Sequence, residues 1–364
     1  MAILETVVGK ALAAAAGAVT KVLTERAIKG APRPSIDAGA LREDWKDDLA
    51  KPDGRKLAAA LEDFYGKRLL EDELAKVTAG TFDKIDWTVV EAQFSNSAKW
   101  AGAQLPREWR GKLRSQWRDF ESTAHPGLDA RQQDHRTAYL AAVRKWHGKI
   151  SFTGFAEVTG DPEVEAEQLF VMPDIRAAGE QEAKRMPGSH LTGDAQWLAV
   201  LLGKPGAGKT TLLEHLAVDA AGLDEGPLPV FLRIRHVPRD YKGGSLWPAF
   251  YEQIRTRLGL PVPDGFLERE ADTGGILLLF DGLDEAGNDA RRDNIVDGIA
   301  RLVDALPEWT RAVISTRLHD YTRKQFDSRR FAHFELREFT GEQIQTFVRR
   351  WGRSTARTAA TPRR

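Results

Sequence analysis

Two hydrophobic rhythms divide this chain. Through residues 1–150 apolar side chains recur at the spacing of amphipathic helices, and convincing β-runs are absent. Leu57, Leu61, Phe64 and Tyr65, for instance, fall on one helical face. Six of the ten tryptophans lie in this stretch: Trp45, Trp87, Trp100, Trp109, Trp117 and Trp146. Aromatic rings at helical spacing predict a packed core rather than a ligand cage. An all-helical N-terminal domain is therefore expected. Residues 151–196 break the rhythm, with a short extended segment at 169–173 and a turn at 186–189. They read as a linker.

From residue 197 onward, short continuous apolar runs alternate with amphipathic helical patterns, the order a parallel sheet with covering helices requires. The runs fall at 197–202, 229–235, 276–280, 311–317 and 331–336. Between them, Trp247, Phe250, Tyr251, Ile254 and Leu258 mark one helix. Ile295, Ile299, Leu302, Val303 and Leu306 mark another, ended before Pro307. The fold class that follows is α/β, a five-stranded parallel sheet with flanking helices over residues 197–339, preceded by the helical domain. Alternation within 331–336 predicts an edge strand. Thr340 to Gln343 reads as a capping box, opening a helix over 340–352 that buries Ile344, Phe347, Val348 and Trp351. Residues 353–364 are polar and basic without apolar periodicity, and read as a disordered tail.

Acidic and basic residues balance at 53 each, so no global field draws the chain to nucleic acid or an anionic surface. Arg107, Arg110, Arg114 and Arg118 form one helical stripe, read as a solvated or ion-paired face. The absence of cysteine excludes disulfides and thiolate metal sites, and it fits a reducing, cytoplasmic setting. The apolar run at 11–19 is bracketed by Lys10 and Lys21 and is too short to span a bilayer. Glu5 stands where a secretion signal carries positive charge. The histidines lack metal spacing, and no internal repeat is visible.

The decisive chemistry follows the first apolar run. Gly203, Lys204, Pro205, Gly206, Ala207, Gly208, Lys209 and Thr210 fill every position of the phosphate-loop (P-loop) pattern G-x-x-x-x-G-K-[ST]. A strand, a glycine loop and a helix in that order aim backbone N–H groups at a polyphosphate. The glycines remove Cβ atoms that would intrude. Lys209 offers charge to the β- and γ-phosphates, and Thr210 offers a hydroxyl to Mg2+. A phosphate loop also needs a metal-binding carboxylate on a neighbouring strand, and Asp281 stands at the end of the run 276–280. Asp284 and Glu285 follow. Acids this close repel one another unless a cation is near; an exposed acidic turn capping the next helix is the plainer reading of these two.

The loop sequence Gly-Lys-Pro-Gly-Ala-Gly-Lys-Thr-Thr at 203–211, with Leu-Leu-Leu-Phe-Asp-Gly-Leu-Asp-Glu at 277–285, resembles the NACHT branch of the STAND signalling ATPases, a P-loop NTPase family. Gly282 after the first acid, then Leu-Asp-Glu, is the discriminating detail. The resemblance runs over roughly residues 165–352. It implies Mg2+-dependent binding of ATP, or GTP, with slow hydrolysis coupled to self-association or to a signalling partner protein. In bacterial members the role it implies is defence. It further implies that Gly208, Lys209 and Thr210 grip phosphates and metal, with Thr211 near the α-phosphate. Asp281 would hold the metal, and Glu285 would orient water with support from Asp284. Residues 311–317 resemble the family's sensor strand, whose terminal Arg317 approaches the γ-phosphate; a salt bridge to nearby acids is the plainer reading. Val171 to Ile175 would lie against the base. The winged-helix and C-terminal sensor regions of the family are not recognisable here. The competing classes are a freestanding P-loop ATPase of remodelling or motor type, with Arg323, Arg329 and Arg330 as finger candidates, and a truncated nucleotide-binding interaction module.

Overall fold

A computed structural model of the chain describes residues 45, 47–65, 70–78, 85–106, 109–124, 128–151, 163–180, 183–193, 198–223, 226–273, 275–307, 309–319, 321 and 326–359. Helices α1 (Gly54–Tyr65), α2 (Glu71–Thr78), α3 (Trp87–Ala101), α4 (Trp109–Ala124) and α5 (Leu128–His147) come first. A two-stranded antiparallel ribbon, β1 (Lys149–Ser151) with β2 (Glu163–Glu165), and the short helix α6 (Ala166–Leu169) follow. The chain then runs through β3 (Asp174–Ala177), β4 (Met186–Pro187), β5 (Leu198–Gly203), α7 (Lys209–Ala221), β6 (Leu228–Arg233), α8 (Trp247–Gln253) and α9 (Phe266–Thr273). It closes with β7 (Ile276–Asp281), α10 (Asp289–Ala305), β8 (Arg311–Arg317), β9 (Ala332–Leu336) and α11 (Gly341–Ala359). Two units emerge. The first joins the described residues up to Asp134 with Pro263–Thr273; the second holds His135–Val262 and the described residues from 275 on.

The helical unit is built as its rhythm predicts. Leu57, Leu61, Phe64 and Tyr65 turn one face of α1 into a core with Trp45, Phe94, Trp109 and Trp117. Phe94 meets Phe64 edge-on at 5.0 Å and lies 5.5 Å from both Trp45 and Trp109. Asp86 caps α3 by accepting from the N–H groups of Thr88 and Val89, and Gly102 ends it at φ 65°. Trp100 and Trp146 depart from the expected core: they are 72 % and 47 % exposed. Trp146 shares a helical side with buried Tyr139 and Val143, yet its large ring is only partly covered there.

Helix α9 departs further. Its sequence position lies between two strands of the sheet, yet it completes the helical unit, because its charges match those of α4. Arg118 donates to Glu121 at 2.7 Å and to Asp272 at 3.0 Å, and Arg269 donates to the same Glu121 at 2.9 Å. Arg114 bridges Glu91 at 2.7 Å and Asp272 at 3.4 Å. The arginine stripe is therefore ion-paired, and at Arg114 and Arg118 it is buried rather than solvated. Arg110 pairs with Glu91 nearer the surface, and Arg107 lies outside the described residues.

In the second unit the five apolar runs form adjacent parallel strands, in the order β9-β5-β8-β7-β6. The linker adds two more: β3 lies antiparallel to β9, and β4 antiparallel to β3, giving a mixed seven-stranded sheet. This overturns the edge position expected for β9. Its alternation arises because polar Glu335 faces Arg176 on β3, which donates to it at 2.8 Å. The edges are β4 and β6; on β6 Pro229 is tolerated and its carbonyl accepts from Tyr139 Oη at 2.9 Å. Helix α10 buries Ile295, Ile299, Leu302 and Val303 against the sheet.

At the C-terminal end, Thr340 and Gln343 form the reciprocal capping pair (2.8 and 3.3 Å). Two expectations for α11 fail. Ile344 and Val348 are 51 % and 59 % exposed rather than buried. The helix also continues to Ala359, well past the expected end at 352. Residues 353–359 contain neither glycine nor proline, and their alanines and arginines favour helix without needing a buried face.

Candidate nucleotide site

The loop 203–208 leaves β5, which is buried from Ala199 to Gly203, and turns into α7 at Lys209. Two glycines permit the turn. Gly206 (φ 71°) and Gly208 (φ 93°) occupy the left-handed region, and a Cβ on either would meet nothing within 4 Å. At both positions the backbone angle, and not lack of room, is what favours glycine. At Gly203 space is tighter: a Cβ would lie 3.3 Å from Lys209 Cδ and 3.4 Å from Leu336 Cβ, so the Lys209 side chain would have to give way. Lys209 Nζ donates to the carbonyls of Gly203 (3.0 Å) and Lys204 (3.1 Å), folded over its own loop. Burial holds its ammonium below the ordinary lysine range, while Asp284 and Asp281 pull upward and Arg317 pushes down. Lys204 reaches outward to Glu338 at 2.8 Å. Pro205, Ala207 and Thr211 are exposed around it.

Strand β7, buried along its whole length, delivers Asp281 beside that loop. The Thr210 hydroxyl donates to the Asp281 carboxylate, with its two oxygens at 3.0 and 2.9 Å. Ser315 Oγ donates to the same carboxylate at 2.8 Å and accepts from Gly282 N at 2.9 Å. Burial pushes the Asp281 carboxyl above its ordinary range, opposed by the hydrogen bonds from Ser315 and Thr210. Gly282, at φ 78°, starts the tight turn that carries Asp284 and Glu285; a Cβ there would stand 3.3 Å from the Glu285 side chain. Arg317 Nε pairs with Asp284 at 2.7 Å. Glu285 stays exposed on the rim, 3.9 Å from Arg235.

Lys209, Thr210, Asp281, Asp284 and Arg317 thus converge, and Glu285 lies beside them. The plainer reading of Arg317 also holds, since its salt bridge is to an acid of the same cluster. The finger candidates do not gather here: Arg329 pairs with Asp327 and Arg330 with Asp304, and Arg323 lies outside the described residues. Sequence reasoning missed Ser315, whose only signal was a polar residue ending a buried run. It also missed Glu214 and Arg233, which pair at 2.6 Å.

The oxygens of Thr210 and Asp281 fit a hard divalent cation. Mg2+ is held by one or two protein oxygens, with phosphate and water completing its shell. Among the described residues no group of three or more His, Cys, Asp or Glu is arranged to hold a metal. A family model for the NACHT domain matches residues 198–355. This part of the chain is a NACHT domain. The match runs from β5 into α11 and makes the region a nucleotide-binding P-loop NTPase domain of the STAND type. No curated protein matches the chain. Among the described residues no helix is long and apolar enough to cross a membrane.

Proposed function

We propose that the NACHT domain binds Mg2+–ATP, or GTP, and hydrolyses it slowly, and that the bound nucleotide sets a conformational and oligomeric switch in bacterial defence or signalling. The observation that carries this reading is the contact of the Thr210 hydroxyl with the Asp281 carboxylate beside Lys209. The loop N–H groups and Lys209 bind the polyphosphate, and Thr211 lies toward the α-phosphate. Thr210 and Asp281 hold Mg2+, which neutralises charge on the β- and γ-oxygens when bound. Glu285, exposed and hydrogen-bond competent, orients the attacking water, with Asp284 in support. Arg317 shares its charge between Asp284 and the γ-phosphate, so a triphosphate and a diphosphate leave different ion pairs behind. That difference gives the differential affinity a switch requires.

Size-exclusion chromatography with light scattering tests the switch directly. The expected result is a change of mass between ADP and a non-hydrolysable ATP analogue. One unchanged mass without nucleotide, with ADP and with the analogue would overturn it.

A further inference from the structure

Thr210 and Glu214 are four residues apart on α7 and therefore share one helical face. Thr210 holds Asp281, and Glu214 Oε1 accepts from Arg233 at 2.6 Å. Arg233 and Asp281 are register partners at the C-terminal ends of β6 and β7, so their side chains leave the same face of the sheet. The four residues close a ring: one turn of the phosphate-loop helix on one side, two neighbouring strand ends on the other. Outside that ring, His147 Nδ1 lies 3.6 Å from Glu214 Oε1, with its imidazole 4.9 Å from Phe231.

We propose that Glu214 and Arg233 are positioning residues for the metal. They clamp α7 to the end of β6, hold Asp281 and Thr210 at their mutual distance, and touch neither nucleotide nor cation. The proposal rests on Thr210 and Asp281 being the metal-binding pair. Without the clamp, the first turn of α7 loses its ion pair to the end of β6, and the separation of the Thr210 and Asp281 oxygens is held less tightly. Outer contacts of this kind are worth about 10- to 100-fold in metal affinity. The phosphate grip lies elsewhere along the chain: Lys209 and the loop N–H groups precede Thr210, whereas Glu214 follows it by one helical turn.

The test uses the full chain with ADP. Mn2+ binding to the ADP complex is followed by electron paramagnetic resonance, and ADP binding in metal-free buffer by calorimetry. Arg233→Met and Glu214→Gln should each weaken Mn2+ binding about tenfold while metal-free ADP affinity stays at the wild-type value. Arg233→Lys should recover part of the loss. A merely structural residue would lower both affinities together, and that result overturns the proposal, as does wild-type Mn2+ affinity in the folded variants. If Arg233→Met does not fold, the isosteric Glu214→Gln decides. Asp281→Asn separates the two levels. Its loss of Mn2+ binding, with Mn2+ binding unchanged in Arg233→Met, sinks the clamp alone; wild-type Mn2+ affinity in Asp281→Asn sinks the metal-site reading and the clamp with it.

Discussion

The two charge clusters of this molecule use the same side chains to opposite ends. In the helical unit Arg118, Glu121, Asp272 and Arg269 are almost wholly removed from water, and each is satisfied by a partner of opposite sign. At the nucleotide site Lys209 donates to two backbone carbonyls, Arg317 and Glu285 stay about half exposed, and a Cβ on Gly206 or Gly208 would meet no neighbour. A buried network in which every charge has an opposite partner favours one packing arrangement. An open one is available to a ligand, and its charges can change partners.

The difference is breakable by mutation. Asp272→Ala strips Arg118 and Arg114 of a buried counter-charge and should destabilise the helical unit by about 3–5 kcal/mol in urea denaturation. Asp284→Ala, which removes the partner of half-exposed Arg317, should cost no more than about 1 kcal/mol. Equal losses would erase the distinction. Lys209→Ala should leave melting unchanged yet weaken nucleotide binding about a hundredfold, ~2.8 kcal/mol, as read by calorimetry. Glu285→Gln should preserve that affinity and slow phosphate release about a hundredfold; full hydrolysis in this variant would move the water-orienting role to Asp284.

The smallest effect concerns pH. Burial alone would raise the Glu214 carboxyl, but nearby His147 and the Arg233 guanidinium that donates to it outweigh burial and hold the group below its ordinary value of 4.5. A folded value below the unfolded one means that the contribution is present above the unfolded value. It is lost as pH falls through the depressed folded value. The stability difference between wild type and Glu214→Gln should therefore be constant near neutrality and shrink only in acid. A difference that grew on acidification would reverse the sign.

What was legible in the sequence was local. The phosphate loop, the buried run ending at Asp281, the five parallel strands and the Thr340–Gln343 cap are each set by residues a few positions apart. What escaped depends on partners far along the chain. Helix α9 looks like a connector between strands until Asp272 finds Arg118, 154 positions away. The linker hides β3 because four residues are too few to show a period, and β3 in turn removes β9 from the edge. Ile344 and Val348 have the periodicity of buried residues, yet periodicity names a face without naming what covers it.

Calorimetric titration of the full chain with ATP and with GTP, in the presence and absence of Mg2+, bears most directly on the claim that Lys209, Thr210 and Asp281 serve one metal-bound nucleotide. One nucleotide per chain is expected, with tighter binding in Mg2+ and loss of that Mg2+ increment in Asp281→Asn. Absence of uptake of either nucleotide at millimolar concentration, or a Mg2+ increment unaltered by Asp281→Asn, would contradict it.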